Sequence, residues 1–406
     1  MTPQSIFRDS ESVSNQSRQS QQKQKIVKAL SKSDKALTIP DFQKKIKIST
    51  PTIIKLINEL IEEKLVIEEG KKETDNGRRP TLYSLNIDRF YAIGVEILLK
   101  RVSISLVRLD QKVVYKKKNS QFILENSSEC LTEVLSFIND FLKEVDISYD
   151  YILGVGIGLT GRVNSITGES FNYFDFTPKP IASYIAEKIK LPVFINNDTH
   201  ITGLAEQVFG QARDVNNALI LNVSRGLGMT IIVNKKILTG GMGFAGEFGH
   251  MQMGYSNKLC MCGKRGCLGM EVSGFALEEK FKEEIKKGEI SLAVSPNTDL
   301  ENIRYDDILQ AAEKGDGLSI SLLQKIGEML GMALGNIVNL LNPELVIIGG
   351  KFAQTDYLFN DSIKTGMHKT ALTAPLKFLE VKASELDKEI GCRAAATLAF
   401  REFDLL

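Results

Sequence analysis

Two stretches of this chain pass through the same order of elements, and that repetition constrains the fold more than any other feature. The first runs Tyr91-Ala92-Ile93-Gly94-Val95-Glu96, then Val102 to Val107, then through a turn at Asp110-Gln111 into Lys112-Val113-Val114-Tyr115. A helix over about Ser127–Val145 and a buried strand from Tyr151 to Gly158 follow. The second starts with Ala218 to Val223, continues with Met229 to Val233 and a turn at Asn234-Lys235, and passes into helices. Short aliphatic runs bounded by turn formers read as strands, and a repeated order reads as two related units. The spacing therefore predicts an α/β body of two lobes with a cleft between them, where small ligands commonly bind.

At 406 residues, with 43% apolar and 25% charged content, the chain is too long for one ordinary core. Its longest charge-free apolar run, Met329 to Pro343, is interrupted by Gly331, Gly335 and Asn336 and is shorter than the ~20 residues of a membrane span. Residues 1–18 are Ser/Gln-rich, lack an apolar signal segment, and read as a disordered lead-in. A cytoplasmic protein with no membrane contact is expected. The net charge of +1 conceals an asymmetry, because residues 1–90 hold 17 Lys and Arg against 12 Asp and Glu, and the remainder 34 against 38. A basic head on a faintly acidic body points to nucleic acid at one end.

Within that head, Ile26, Val27 and Leu30 form a helical stripe from about Gln24, and a second helix can start near Pro40-Asp41 with Phe42 and Ile46 inward. For a third, Ser49 is the expected N-cap and Pro51 fits the first turn, with Ile53, Ile54, Ile57, Leu60 and Ile61 as its apolar side. Thr50, Thr52, Lys55 and Asn58 are then left outward, as in a recognition helix that presents its first residues to base edges. Leu65 to Glu69 and Thr81 to Leu85 read as the strands of a wing, whose loop ends in Asn76-Gly77-Arg78-Arg79-Pro80. Ser49, Thr50, Thr52, Lys55, Asn58, Arg78 and Arg79 are the candidate contacts to operator DNA, the two arginines suiting phosphates or the minor groove.

Three of the five cysteines, Cys260, Cys262 and Cys267, fall within eight positions. With His250 they make a Cys3His set, closed to further ligands and hence structural, for which Zn2+ is the expected ion. Gly263 and Gly266 allow the tight turns that bring three sulfurs to one centre. The alternative is a cluster of buried thiols without an ion.

The run Gly240-Gly241-Met242-Gly243-Phe244-Ala245-Gly246-Glu247-Phe248-Gly249-His250, followed by Cys260-Met261-Cys262-Gly263-Lys264-Arg265-Gly266-Cys267-Leu268, resembles the signature of the ROK family of repressors and sugar kinases. The resemblance covers roughly residues 20 to 406, since a helix-turn-helix with a Gly-Arg-Arg-Pro wing is typical of the repressor branch. It implies a winged helix-turn-helix at 19–88 and an actin-like (ribonuclease H-like) sugar-kinase-type fold. The first lobe would take 89–196 plus 386–406, and the second, with the zinc site, 197–385.

The resemblance further implies sugar-binding roles for Thr160, Gly161, Asn172, Asn197, Asp198, Glu247 and His250, with Asp198 at the place of the kinases' general base. Where the family has Leu-Glu after its last zinc cysteine, this chain has Leu268-Gly269, and Glu271 stands two places late. Either Glu271 is swung in, or the pocket lacks one carboxylate.

Family kinases carry Asp-x-Gly-Gly-Thr in the first hairpin, and this chain has Glu96-Ile97-Leu98-Leu99-Lys100. The second phosphate loop survives only partly, as Val223-Ser224-Arg225-Gly226-Leu227-Gly228-Met229, and Gly349-Gly350 resembles the family's nucleotide-side turn, although Gly-Gly after a strand is also common turn punctuation. The expectation is a non-enzymatic, sugar-responsive repressor acting as a homodimer or homotetramer, with Asp198 vestigial and Arg225 partly filling the emptied phosphate region. The alternatives are an ATP-dependent sugar kinase and a repressor controlled by a protein partner.

Overall fold

The computed structural model describes residues 3, 6, 16–33, 35–72, 79–253, 256–295, 298–387 and 389–406. The chain divides into two compact units, Met1–Asp198 with Glu389–Leu406, and Thr199–Lys388.

The first unit opens with three helices, α1 (Gln16–Ser31), α2 (Ile39–Lys45) and α3 (Thr50–Glu62), and a two-stranded antiparallel wing, β1 (Val66–Lys71) and β2 (Thr81–Leu85). Helix α1 starts eight residues before the expected Gln24, because its first two turns carry no apolar stripe and are held by polar contacts instead. Lys23, only 3% exposed, pairs with Glu59 of α3 at 3.0 Å and with Glu63, just past its end, at 2.7 Å. Burial pulls its ammonium down, but the two carboxylates outweigh that and leave its pKa above the usual lysine value. Of the expected lead-in, residues 1, 2, 4, 5 and 7–15 lie outside the described residues, while Ile6 is fully buried in the head's core. At α2, Thr38 and Asp41 form a reciprocal capping box, worth about 1 kcal/mol.

One expectation for α3 is corrected. Ile53, Leu56, Ile57 and Leu60 are buried, whereas Ile54 is 44% exposed and Ile61 half-buried. The buried stripe follows the i, i+3, i+4, i+7 spacing from Ile53, which puts Ile54 around the side of the helix.

The rest of the first unit is a five-stranded sheet of order β5-β4-β3-β6-β9, from β3 (Tyr91–Leu98), β4 (Arg101–Arg108), β5 (Val113–Asn119), β6 (Ile152–Leu159) and β9 (Val193–Asn197). β7 (Val163–Asn164) and β8 (Glu169–Ser170) form a small hairpin, and α4 (Ser128–Glu144) and α5 (Ile181–Ile189) contribute to the core on the sheet. α6 (Asp198–Phe209) leads into the second unit. There the sheet has the order β12-β11-β10-β13-β14, from β10 (Ala218–Val223), β11 (Leu227–Val233), β12 (Lys236–Ile237), β13 (Leu345–Gly349) and β14 (Glu380–Ala383).

In both sheets the first three strands in sequence pair antiparallel and the next two add in parallel, so the repetition read from sequence is a repeated topology. Each is the sheet of an actin-like lobe. Asn234 and Lys235 both have positive φ, the geometry of a tight hairpin turn.

Helices α7 (Gly269–Val272), α8 (Gly274–Lys286), α9 (Tyr305–Glu313), α10 (Gly317–Leu341), α11 (Asp356–His368) and α12 (Thr373–Leu376) complete the second unit. No described helix is long and apolar enough to cross a membrane.

The last helix, α13 (Ile390–Glu402), returns to the first unit and packs on β3, β4 and β6. It lies flush on the sheet because Gly94 and Gly156 have no side chain. A Cβ at either would sit 1.7 Å from the Cys392 carbonyl oxygen or 1.8 Å from that of Ala395. Its far side joins the head, where Ala396, Ala399, Phe400 and Leu405 share one apolar cluster with Ile26, Val27, Leu30 and Leu85.

Candidate functional sites

On α3, Ser49 is the N-cap residue, though its hydroxyl pairs with Thr52 Oγ1 at 2.7 Å and does not cap the helix. Thr50 accepts a bond from the Gln43 amide of α2, which ties the two helices of the motif together. Lys55 and Asn58 are exposed on the same helix. Leu37 and Tyr83 exchange backbone hydrogen bonds of 2.8 Å, so the segment before α2 runs as a third edge of the wing. Arg79 is exposed immediately before β2, and Arg78 lies outside the described residues.

The sugar residues expected in the first unit come together at the carboxyl ends of neighbouring parallel strands. Leu159, which ends β6, pairs with Asn197, which ends β9, so Thr160-Gly161 and Asn197-Asp198 leave the sheet side by side. Strand ends of this kind are the usual ligand position in α/β sheets. Thr160 Oγ1 donates to Asp198 Oδ2 at 2.9 Å, and Asn197 Nδ2 donates to the Gly161 carbonyl at 2.5 Å. Asn172 stands against Gly161 and accepts bonds at Oδ1 from Arg162 N at 2.8 Å and Nε at 3.2 Å. Burial, and then the Asp198 carboxylate, push the nearby Tyr173 hydroxyl above its usual value.

In the second unit the glycine-rich loop lies directly on β11. Gly246 has φ +89°, and a Cβ there would meet the Met229 carbonyl oxygen at 2.0 Å. That approach places Glu247 at the start of a single 3-10 turn, Phe248–His250, with Glu247 Oε2 3.6 Å from His250 Nε2.

The other ring nitrogen of His250, Nδ1, is 3.6 Å from Cys260 Sγ, and Cys262 and Cys267 sulfurs are 3.6 Å apart. All four ligand atoms lie within 4.8 Å of one another. A tetrahedral ion with bonds of about 2.3 Å to sulfur and about 2.0 Å to nitrogen requires edges of roughly 3.6–3.8 Å. Burial, reinforced by the Cys262 and Cys260 sulfurs, pushes the Cys267 thiol up to about 12. A bound cation is what would let three crowded sulfurs ionise together. The cluster can hold a metal ion.

Glu271 is placed differently from the other sugar candidates. It is buried on α7, and its two oxygens accept from Ser256 Oγ and, at 2.9 Å, from Lys280 Nζ. Burial opposes its ionisation, but Ser256 and Lys280 outweigh it and hold the carboxyl below its usual range.

Several residues that sequence reasoning missed have structural duties here. Arg101 bonds Glu96 at 2.6 Å across the hairpin of β3 and β4. Arg225, expected in the emptied phosphate region, has a partner that the sequence did not signal: it faces the buried Glu278, with both oxygens 3.4 Å from Nη1. His200 Nε2 lies 2.9 Å from the Ala245 carbonyl and so links α6 to the glycine-rich loop; burial holds its pKa down. None of these pairings carried a sequence signal, because their partners are set by packing and not by spacing.

A winged helix-turn-helix joined to duplicated actin-like lobes, with a Cys3His cluster beside a glutamate, defines a transcriptional regulator built on a sugar-kinase body. The chain belongs to the ROK family, whose family model matches residues 92–402. It is similar to the xylose repressor of Caldicellulosiruptor bescii, at 29% identity over 378 residues, 91% of this chain and 94% of that one. It is also similar to the N-acetylglucosamine repressor of Escherichia coli O157:H7, at 27% identity over 86% of this chain and 85% of that one.

A crystal structure of a ROK family transcriptional regulator, a homolog of the E. coli MLC protein, matches at TM-score 0.79 and 27% identity, covering 95% of this chain and 97% of that one. A ROK family glucokinase from Streptomyces griseus, in complex with glucose and AMPPNP, shares the fold at TM-score 0.66 and 23% identity, over 77% of this chain and 99% of that one. The repressor relatives span both the head and the body, and this chain is a transcriptional repressor of that kind.

Proposed function

We propose that this protein represses carbohydrate-utilisation genes by holding operator DNA with α3 and the wing, and that a sugar or sugar derivative controls that grip. The observation that carries the reading is the shared core of the first unit. There the head's Ile26, Val27 and Leu30 pack with α13, which lies on the sheet whose strand ends carry Thr160, Asn197 and Asp198. A ligand that favours one arrangement of those strand ends thereby acts on the element that seats the head. The chain's similarity to a xylose repressor and an N-acetylglucosamine repressor makes pentoses and hexoses the first effectors to try.

In the first unit, taken by itself, sugar hydroxyls would be recognised by Thr160, Gly161, Asn172, Asn197 and Asp198. In the second unit, taken by itself, Glu247 and His250 are the proposed sugar-binding residues. Zn2+ is the proposed ion for His250, Cys260, Cys262 and Cys267, because three sulfurs and an imidazole within 4.8 Å of one another are a donor set that suits it, and the His250–Cys260 and Cys262–Cys267 separations of 3.6 Å are close to tetrahedral edges. When bound, zinc would supply a rigid loop and a fixed imidazole. His250 then directs Nε2 and the neighbouring Glu247 toward ligand hydroxyls.

We assign no phosphoryl transfer to this chain. Catalysis of that reaction needs open backbone around the phosphates, and here Leu98, Leu99 and the Arg101–Glu96 pair occupy the first hairpin. The test is a titration of zinc-loaded protein onto duplexes from its own promoter region, at two salt concentrations, with and without a panel of sugars and sugar phosphates. The expected result is specific binding that weakens with salt and shifts with one sugar, without ADP release in a coupled assay. Weak binding with no sequence preference, or sugar-dependent ADP release, would overturn the reading.

A further inference from the structure

The head carries a second basic surface away from the outward residues of α3. Lys25, Lys28 and Lys32 recur along one face of α1 and just beyond its end, at spacings that put them side by side on a helix. Lys45 closes the last turn of α2. With Ala29 and Ile46 these four lysines line a shallow cleft of about 290 Å³. Lys25, Lys32 and Lys45 are exposed, and among the described residues Lys25 and Lys45 have no ion pair within the chain.

An acidic residue from the far end of the sequence reaches the same cleft. Asp404 contacts Lys32 directly and Lys28 at 3.5 Å. Its position is specified, not incidental. It takes a left-handed backbone, φ +56°, in the turn that follows α13. Its N–H donates to the Arg401 carbonyl at 2.8 Å, and Leu405 beside it is fully buried in the head's core.

We propose that this lysine cleft grips a phosphate of the DNA backbone next to the segment read by α3, and that Asp404 competes with that phosphate for Lys28 and Lys32. The inference rests on the DNA-binding reading above. DNA is the partner of choice for three reasons. The cleft lies in the head, where residues 1–90 hold 17 Lys and Arg against 12 Asp and Glu. Lys45 stands four residues before Ser49, on the turn that delivers α3. Gln43, two residues before Lys45, is bonded to Thr50 at the start of that helix. A phosphate in the cleft would fix the head on the duplex without reading sequence. Because Asp404 follows α13, which packs on the first unit's sheet, any shift of that helix adds or withdraws negative charge at the DNA contact.

The experiment uses the full chain and two duplexes, one from its own promoter region and one unrelated, in fluorescence anisotropy at 50 and 200 mM salt. Lys25→Gln and Lys45→Gln should each weaken both duplexes by the same factor and reduce the salt slope by about 1. With one fewer phosphate neutralised, the ratio of wild-type to variant affinity should shrink about threefold between the two salts. Asp404→Asn should tighten both duplexes and steepen the slope, while Lys118→Gln, on an exposed strand of the body, should change neither. Unaltered slopes in Lys25→Gln and Lys45→Gln, or weaker binding by an Asp404→Asn protein of unchanged Tm, would overturn the proposal and leave the repressor reading standing. A wild-type chain that binds neither duplex removes both.

Discussion

Replacing Gly269 by glutamate should give this protein a tighter hold on its sugar. In the family pattern a glutamate follows the last zinc cysteine by two positions, and here that place is empty of side chain. The structure shows what such a side chain would meet. A Cβ on Gly269 would lie 3.2 Å from the Gly249 carbonyl oxygen and 3.7 Å from its Cα, so the neighbour must yield by only a few tenths of an ångström. Gly269 is the first residue of α7 and its φ is not in the left-handed region, so glutamate fits the backbone and gains about 0.5 kcal/mol in helix propensity.

The new carboxylate would emerge beside Gly249, next to His250 and two residues from Glu247. It would not face Glu271, since residues two apart on a helix point apart. One hydrogen bond from a sugar hydroxyl to a charged acceptor is worth about 1.5–3 kcal/mol, or about 10- to 100-fold in affinity. Isothermal titration calorimetry of wild type and Gly269→Glu against xylose, glucose and N-acetylglucosamine measures this directly, with Tm recorded in parallel. If the variant's Tm is not lowered and every sugar affinity stays within about twofold of the parent, position 269 does not reach the ligand. The reasoning would then be wrong.

Metal analysis should find about one zinc per chain, and a strong chelator should lower the Tm of the second unit by about 10 °C, from about 4 kcal/mol of linkage at a thousandfold excess over Kd; no metal and no Tm change would remove the zinc assignment. Leu56→Ala on α3 should cost about 2–5 kcal/mol in denaturant unfolding, while Ile54→Ala, at an exposed site, should stay within about 0.5 kcal/mol; similar losses in both would refute the observed face. The depressed carboxyl of Glu271 contributes stability that is present above the ordinary glutamate range and lost as pH falls through its lowered pKa. Glu271→Gln should therefore lower Tm at pH 7 and converge with the parent in acid, and a pH-independent difference would show that the Lys280 pair is not the cause.

Much of the fold is visible in the sequence because the hydrophobic pattern matches the element period in each case. The strands starting at Tyr91 and Ala218, the helix after Ser127 and the α3 segment are where that pattern is strong. The start of α1 is not visible, because a helix held by Lys23, Glu59 and Glu63 shows no apolar stripe. Within the sites, the clustered cysteines could be found from spacing, and the sugar-binding candidates only through the family resemblance. The inward turn of Glu271 toward Lys280, the Arg101–Glu96 pair and the approach of Asp404 to Lys32 depend on which side chains packing brings together, the last across 372 positions. Local pattern carries no record of such pairs.

The path of the chain has a consequence for how the protein is made. It leaves the first unit at Asp198 and comes back only at Glu389, so the helix that covers Gly94, Gly156 and the base of the head is translated only after the whole second unit. Until it emerges from the ribosome, Phe90, Ala92, Val107 and Leu153 lack the apolar partners Ala396, Ala399, Phe400 and Leu405. A nascent or prematurely terminated chain would thus carry the recognition helix on an unfinished seat. Truncation ahead of Ile390 becomes a lesion of the DNA-binding end as much as of the body, and chains that stop short of this helix are marked by exposed core for removal by proteases.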